Sequence, residues 1–89
     1  MIGPDPNKRH EDGVRENLER ATLIRPLFDG LEVLEGPSYP GDRLDAVYKL
    51  RNPRTHNHFQ IIDHRHIPRG QLLVADVQQQ LSGHLQQAG

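Results

Sequence analysis

The sequence predicts a small α+β domain of two layers, in which a three-stranded antiparallel sheet carries both helices on one face. Apolar residues recur every three or four positions over residues 14–28 and again over 74–85, the period of an amphipathic helix. They alternate one by one over residues 44–51 and 58–62, the period of a half-buried strand. A short apolar run at 31–34 adds a third strand. The predicted order is therefore α-β-β-β-α, and one apolar sheet face is enough to cover both helices.

The two helices have recognisable boundaries. The first is expected to begin with Asp12 as its N-cap and to run to about Ile24, where Pro26 ends it or starts a final tighter turn. Its predicted apolar face consists of Val14, Leu18, Ala21, Ile24 and Phe28, and its predicted polar side holds Glu16, Glu19 and Arg20. The last helix is expected to begin with Pro68 as its first residue and to fray from Ser82, because Gly83 weakens it.

The central hairpin is the most informative stretch. Residues 52–55 have turn chemistry, and a four-residue loop there pairs Tyr48 with Phe59 and Ala46 with Ile61. That register buries the large apolar side chains on one face. It also sets three cations beside histidines on the outer face, in the pairs Arg51–His56, Lys49–His58 and Arg43–His64. The residues expected to be buried are Tyr48, Phe59, Ile61, Leu18 and Val77.

Length and composition predict a single domain over residues 11–86, with a flexible N-terminal tail at 1–10 and a short C-terminal end at 87–89. The 89 residues contain no cysteine, no apolar run as long as a membrane span and no signal-peptide pattern. We therefore expect a cytoplasmic protein without a membrane partner. Because 34% hydrophobic residues make a modest core, we also consider a homodimer that would supply further apolar contacts.

Charge is distributed unevenly along the chain. Residues 1–42 carry five Lys/Arg and nine Asp/Glu, a net −4, whereas residues 43–69 carry six and two, a net +4. A positive strip of this kind predicts an anionic partner, either an acidic protein surface or a nucleic-acid backbone. The overall charge of −1 favours the protein surface. The predicted partner-binding residues are Arg43, Lys49, Arg51, Arg54, His56, His58 and His64.

An enzymatic or metal-binding role is the alternative. The histidines form two His-x-His pairs, His56/His58 and His64/His66, and on an extended strand such a pair points to one side and can share a metal ion. A third ligand is missing from the pattern, since Asp63 would face the other way. Histidine with arginine could also cleave RNA. The sequence has no Walker loop, GxGxxG, HExxH or GxSxG motif. It therefore favours a non-enzymatic module with no catalytic residue, metal ligand or cofactor assigned, and a minimal His-dependent RNase-like or metal-binding protein stays the alternative.

A resemblance supports the same topology. The order helix, three strands, helix is similar to that of double-stranded RNA-binding domains, and the stretch LEVLEGPSYPGDRLDAVYKL looks like their first strand, Gly-Pro loop and second strand. Those domains place a lysine cluster at the start of the last helix, whereas residues 68–73 here carry one cation, Arg69. The resemblance thus implies the fold more than duplex binding. The hairpin also resembles the end of small ribonuclease toxins of toxin–antitoxin pairs.

Overall fold

A computed structural model describes residues 6–41 and 45–86, with side chains from residue 11 onward, and confirms the predicted order. Helix α1 spans Pro6–Ile24 and is followed by a 3-10 turn at Arg25–Phe28. Strands β1, β2 and β3 span Glu32–Ser38, Ala46–Arg51 and His58–Asp63, and helix α2 spans Gln71–Gln86. The sheet is antiparallel in the order β1-β2-β3.

Helix α1 begins at Pro6, six residues before the predicted N-cap at Asp12. Proline suits the first helical turn because its φ is preset and its missing N–H would have no partner there. The sequence pattern missed this turn because no apolar period marks residues 6–13. Residues 1–5 of the predicted tail and residues 87–89 lie outside the described part of the chain.

The core lies between the inner face of the sheet and the two helices. It consists of Ile24, Phe28, Tyr48, Leu50, Ile61, Leu73, Val77 and Leu81. The rings of Phe28 and Tyr48 meet edge to face with centroids 5.2 Å apart, a favoured aromatic geometry. Burial of Tyr48, Ile61 and Val77 is confirmed, whereas Phe59 is only partly buried against the core. The prediction for Leu18 is wrong: its side chain is 64% exposed, because the buried stripe of α1 runs through Arg20 and Ile24 and Leu18 lies off that stripe.

Strand β1 is longer than the predicted 31–34 and runs through the Gly-Pro segment that was expected to be an irregular loop. Its pairing with β2 shifts register between Val33 and Glu35 and again between Glu35 and Ser38. Such irregularities bend a strand and let it continue past residues that fit a regular ladder poorly. Gly36 has φ of +135°, and a Cβ there would lie 2.8 Å from the Cα of Tyr48. Glycine therefore permits the close approach of β1 to β2.

The hairpin register differs from the prediction by two residues. Tyr48 pairs with Ile61, Leu50 with Phe59 and Arg51 with His58. The loop is six residues long: the Asn52 N–H donates to the Asn57 carbonyl (2.9 Å) and the His56 N–H to the Asn52 carbonyl (2.7 Å). His56 adopts the left-handed φ of +64° that closes this loop. Because strand side chains alternate with a period of two, a shift of two leaves the residues of β2 and β3 on their predicted faces.

Helix α2 begins at Gln71, three residues after the predicted start at Pro68, and continues through Gln86, so the predicted fraying from Ser82 is also wrong for the described residues. Leu73, Val77 and Leu81 lie on its buried face. Leu81 packs in the core two residues before Gly83, and this packing outweighs the poor helix propensity of glycine.

Candidate functional site

The predicted partner-binding residues on β2 point to the outer face of the sheet. Tyr48 and Leu50 are buried on the inner face, and the alternation of the strand leaves Lys49 exposed and Arg51 half-buried on the opposite side. Because of the two-residue shift, Lys49 pairs across the strands with Gln60 rather than His58, and Arg51 with His58 rather than His56, although the Arg51 side chain still contacts His56. The expected face is therefore correct, and the cross-strand register expected for Lys49 and Arg51 is wrong.

Carboxylates from β1 neutralise much of this face. Lys49 Nζ lies 3.3 Å from Glu35 Oε2, and Arg51 Nη1 lies 3.0 Å from Glu32 Oε2. Ion pairs this exposed stabilise a fold by only about 0–1 kcal/mol, but they cancel the field that a partner would sense. The sequence suggested a strip of uncompensated cations because β1 was predicted too short to reach Lys49.

The turn end of the hairpin keeps more of its positive charge. We call Arg51, Arg54, His56 and His58 the hairpin tip. Arg51 Nη2 contacts His56 Nδ1, and Arg51 is the cross-strand neighbour of His58. Arg54 and His58 are exposed, and no carboxylate of the described residues lies within ion-pair distance of either side chain. Four of the seven predicted residues thus lie together.

The other three predicted residues are not part of the tip: Lys49 is paired with Glu35 farther along β2, and the other two are His64 and Arg43. His64 follows the far end of β3, where its Nδ1 lies 3.8 Å from Asp45 Oδ2 and its ring is 5.5 Å from that of His66. Asp45 also accepts a hydrogen bond from the Arg65 backbone N–H (2.9 Å), which lowers the pKa of the Asp45 carboxyl, with His64 adding to the effect. Arg43 lies outside the described residues.

The histidine pairs do not have the strand geometry that a shared metal ion would need. His56 lies in the loop, and His64 and His66 follow the end of β3, so neither pair lies wholly on a strand. Within residues 6–41 and 45–86, no three His, Cys, Asp or Glu side chains come close enough to hold a metal ion.

A second polar cluster was missed by sequence reasoning. Arg20, predicted to lie on the polar side of α1, is buried and donates through Nε and Nη2 to Asp63 at 2.6–3.1 Å. Arg65 reaches the same region: its Nη1 donates to Asn17 Oδ1 (2.7 Å) and its Nη2 to the Tyr39 hydroxyl (2.8 Å). A signal was present, because Arg20 precedes Ile24 and Phe28 by four and eight residues and so shares their stripe.

This cluster forms the base of a charged cleft between α1 and the segment that joins β3 to α2. The cleft has a volume of about 610 Å³, and its rim carries both signs of charge, including the ion pair of Arg69 with Glu19. Buried Arg20 also lies near Glu16, with Nη1 and Oε1 3.8 Å apart. The arrangement joins α1 to the end of β3 through the hydrogen bonds from Arg20 to Asp63.

No helix among the described residues is long and apolar enough to cross a membrane. The sequence matches no protein-family model, and comparison with curated proteins and with solved structures gives no significant match.

Proposed function

We propose that this chain is a small non-enzymatic interaction module that binds an acidic protein surface through the hairpin tip. The observation that carries the proposal is the exposure of Arg54 and His58 without a carboxylate partner among the described residues. Cations that are not neutralised within their own chain attract an anionic partner and speed its encounter.

The hairpin tip supports binding better than the whole outer face does. Lys49 is already paired with Glu35, and His64 lies beside Asp45. A partner's carboxylate would have to compete with those neighbours. At the tip, Arg51 is the one residue with a carboxylate neighbour among the described residues, and that neighbour is Glu32. Arg51 can still donate its remaining N–H groups to a partner.

A protein partner fits better than a nucleic acid. The chain has a net charge of −1, whereas sequence-independent nucleic-acid binding usually relies on a strongly basic surface. Single-strand binding also needs exposed aromatic rings on which bases stack. Tyr48 is in the core, and Tyr39, which is exposed, follows the end of β1 that lies away from the hairpin tip, with the Arg65 guanidinium 5.3 Å from its ring centroid. The hairpin tip therefore has cations but no aromatic platform.

The test compares two anionic probes, poly-L-glutamate and a single-stranded RNA, by fluorescence anisotropy at about 50 mM and 200 mM salt. We expect poly-L-glutamate to bind, and the double change Arg54→Glu with His58→Glu to weaken binding by about tenfold or more. Lys49→Glu is the matched control, because it changes the same face at a cation that already has a partner. Tighter binding of RNA with a steep salt dependence would favour the nucleic-acid partner, and absence of binding to both probes would overturn the proposal.

Two further expectations accompany this proposal. A cytoplasmic location follows from the composition alone and stays a prediction. A homodimer is also a prediction from the modest core, and sedimentation equilibrium of the full chain measures it directly.

A further inference from the structure

Strand β3 has a free edge whose backbone direction can be assigned. It pairs with β2 on one side only. In an antiparallel ladder, successive residues direct their N–H and C=O groups alternately toward the paired strand and away from it. The backbone N–H and C=O of Ile62 hydrogen-bond to a side chain of α2, on the side away from β2. Ile62 therefore shows which residues of β3 direct their backbone groups away from the paired strand. By the same alternation, the backbone groups of Gln60 and His58 also point to the free edge.

The side chain of Gln80 closes this edge at one position. The Ile62 N–H donates to Gln80 Oε1 (2.9 Å), and Gln80 Nε2 donates to the Ile62 carbonyl (2.8 Å). Asp76 Oδ2 accepts from the same Nε2 at 3.1 Å and holds the amide in place. A primary amide offers one donor and one acceptor side by side, as the peptide group of a neighbouring strand does. The protein thus already accepts a strand-like group at Ile62.

The edge is open at the next two outward positions. Both Gln60 and His58 are exposed, and no other side chain of the described residues hydrogen-bonds to their backbone as Gln80 does to Ile62. An edge with unpaired backbone groups is a template for an added strand unless it is covered, charged or interrupted. This open segment adjoins the hairpin tip, since His58 belongs to both.

We propose that the free edge of β3 at His58 and Gln60 binds an extended acidic segment of the partner protein by strand addition. The inference rests on the proposed function and specifies how the partner is held: backbone hydrogen bonds supply affinity, and acidic side chains of the added strand meet the cations of the hairpin tip. A second copy of the chain is a poorer occupant. Its own hairpin tip would bring like charges together.

The decisive variant is Gln60→Pro, with Gln60→Ala as its matched control. Proline removes the outward N–H of residue 60, and the ladder with β2 survives because it is made by Phe59 and Ile61. Alanine removes the same side chain and keeps the N–H. The probe is a synthetic peptide of alternating Glu and Thr, whose acidic side chains lie on one face when it is extended.

We expect the peptide to bind the wild-type chain and Gln60→Ala similarly, and Gln60→Pro about tenfold or more weakly. A peptide that is N-methylated at every residue, and so has no N–H group on either edge, should bind weakly to all three proteins. Equal binding by Gln60→Pro and Gln60→Ala would overturn strand addition while leaving the proposed function standing. Failure of both this peptide and poly-L-glutamate to bind the wild type would overturn both.

Amide exchange provides a measurement that does not depend on the proline variant folding. In the wild-type chain, the amides of His58 and Gln60 should exchange more slowly with deuterium when the peptide is bound. Unchanged exchange at these two amides in the saturated complex would contradict strand addition, because the contact would then be made by side chains alone.

Discussion

Arg20 and Asp63 form an ion pair inside the core, with Nη2 and Oδ1 2.6 Å apart and side chains that are 2% and 0% exposed. Arg20 Nη2 also donates to the backbone carbonyls of His64 (3.1 Å) and Ile67 (2.9 Å). The hydrogen bonds to Asp63 raise the pKa of Arg20 above its ordinary value and outweigh the opposing effect of burial. One side chain therefore ties α1 to the end of β3 and to the segment that follows it.

Removing one member of this pair should be costly. Arg20→Ala leaves Asp63 charged and buried, and Asp63→Ala leaves Arg20 in the same position. We expect each change to lower the free energy of unfolding by about 3–5 kcal/mol, measured by urea denaturation.

Replacing both members with apolar residues is the control for this prediction. The double change Arg20→Met with Asp63→Leu removes both charges and retains most of the volume, so it should cost less than either single alanine change. A loss equal to the sum of the two single losses would show that the two side chains contribute independently and would contradict the pairing.

The sequence predicted which residues lie on each face of the hairpin but did not predict its register. These two outcomes have different causes. Faces follow from the period of two, and Tyr48, Leu50 and Ile61 carry that period clearly. Register depends on how the loop closes. Here it depends on the left-handed conformation of His56 and the cap that Asn52 Oδ1 makes on the Arg54 N–H (3.0 Å). These are details of local loop conformation, and several loop lengths are compatible with the same residue pattern.

The candidate site was predictable in part, because it depends on neighbours from another strand. The positions of Arg51 and His58 on one face follow from β2 and β3 alone. The pairing of Lys49 with Glu35 requires β1 to continue past its predicted end at Leu34 and to shift its register against β2 beside Glu35, which the residue pattern does not indicate. Likewise, Arg20 was placed on the polar side because charged residues are rarely buried without a partner, and its partner lies 43 residues away.

Gly36 should not tolerate a side chain. Gly36→Ala would force φ of +135° on a residue with a Cβ and bring that atom to 2.8 Å from the Tyr48 Cα and 2.9 Å from the Val47 carbonyl oxygen. We expect the free energy of unfolding to fall by about 3 kcal/mol or more, measured by thermal or urea unfolding.

Gly41→Ala is the matched control for Gly36→Ala. Gly41 also has a positive φ (+61°), but no atom of the described residues lies within 4 Å of the place that an alanine methyl group would occupy there. Gly41→Ala should therefore lower the free energy of unfolding only by the cost of the left-handed backbone conformation for alanine, about 1–2 kcal/mol. Equal losses at the two positions would mean that β1 does not approach β2 as closely as the structure has it.

Two apolar residues of α1 should respond very differently to truncation. Ile24 is fully buried in the core, and Ile24→Ala should cost about 2–5 kcal/mol. Leu18 is largely exposed, and Leu18→Ala should change stability by no more than about 0.5 kcal/mol. Urea denaturation of both variants checks the prediction, and a large loss for Leu18→Ala would show that this part of α1 is covered in solution.

Alkaline pH should destabilise the fold through Tyr48, whose side chain is 1% exposed. Burial raises the pKa of the Tyr48 phenol, and the nearby charge of Asp63 adds to the rise. The folded state therefore favours the neutral phenol. Its contribution is fully present below the unfolded pKa of about 10, and it is lost as the pH rises from there through the higher folded value, since only the unfolded state releases its proton in that window.

The measurement is the melting temperature between about pH 8 and pH 12. The wild-type chain should lose stability steeply above about pH 10, and Tyr48→Phe should lose it less steeply because the ring stays and the titrating hydroxyl is gone. Tyr39→Phe is the control at the exposed tyrosine, because it removes the hydrogen bond from Arg65. It should lower the melting temperature across the pH range, but the melting temperature should still fall as steeply at alkaline pH as it does in the wild type. If the melting temperature of Tyr48→Phe falls as steeply with pH as that of the wild type, the phenol of Tyr48 is not the group that titrates on unfolding. The reason is that this change removes only the buried neutral hydroxyl.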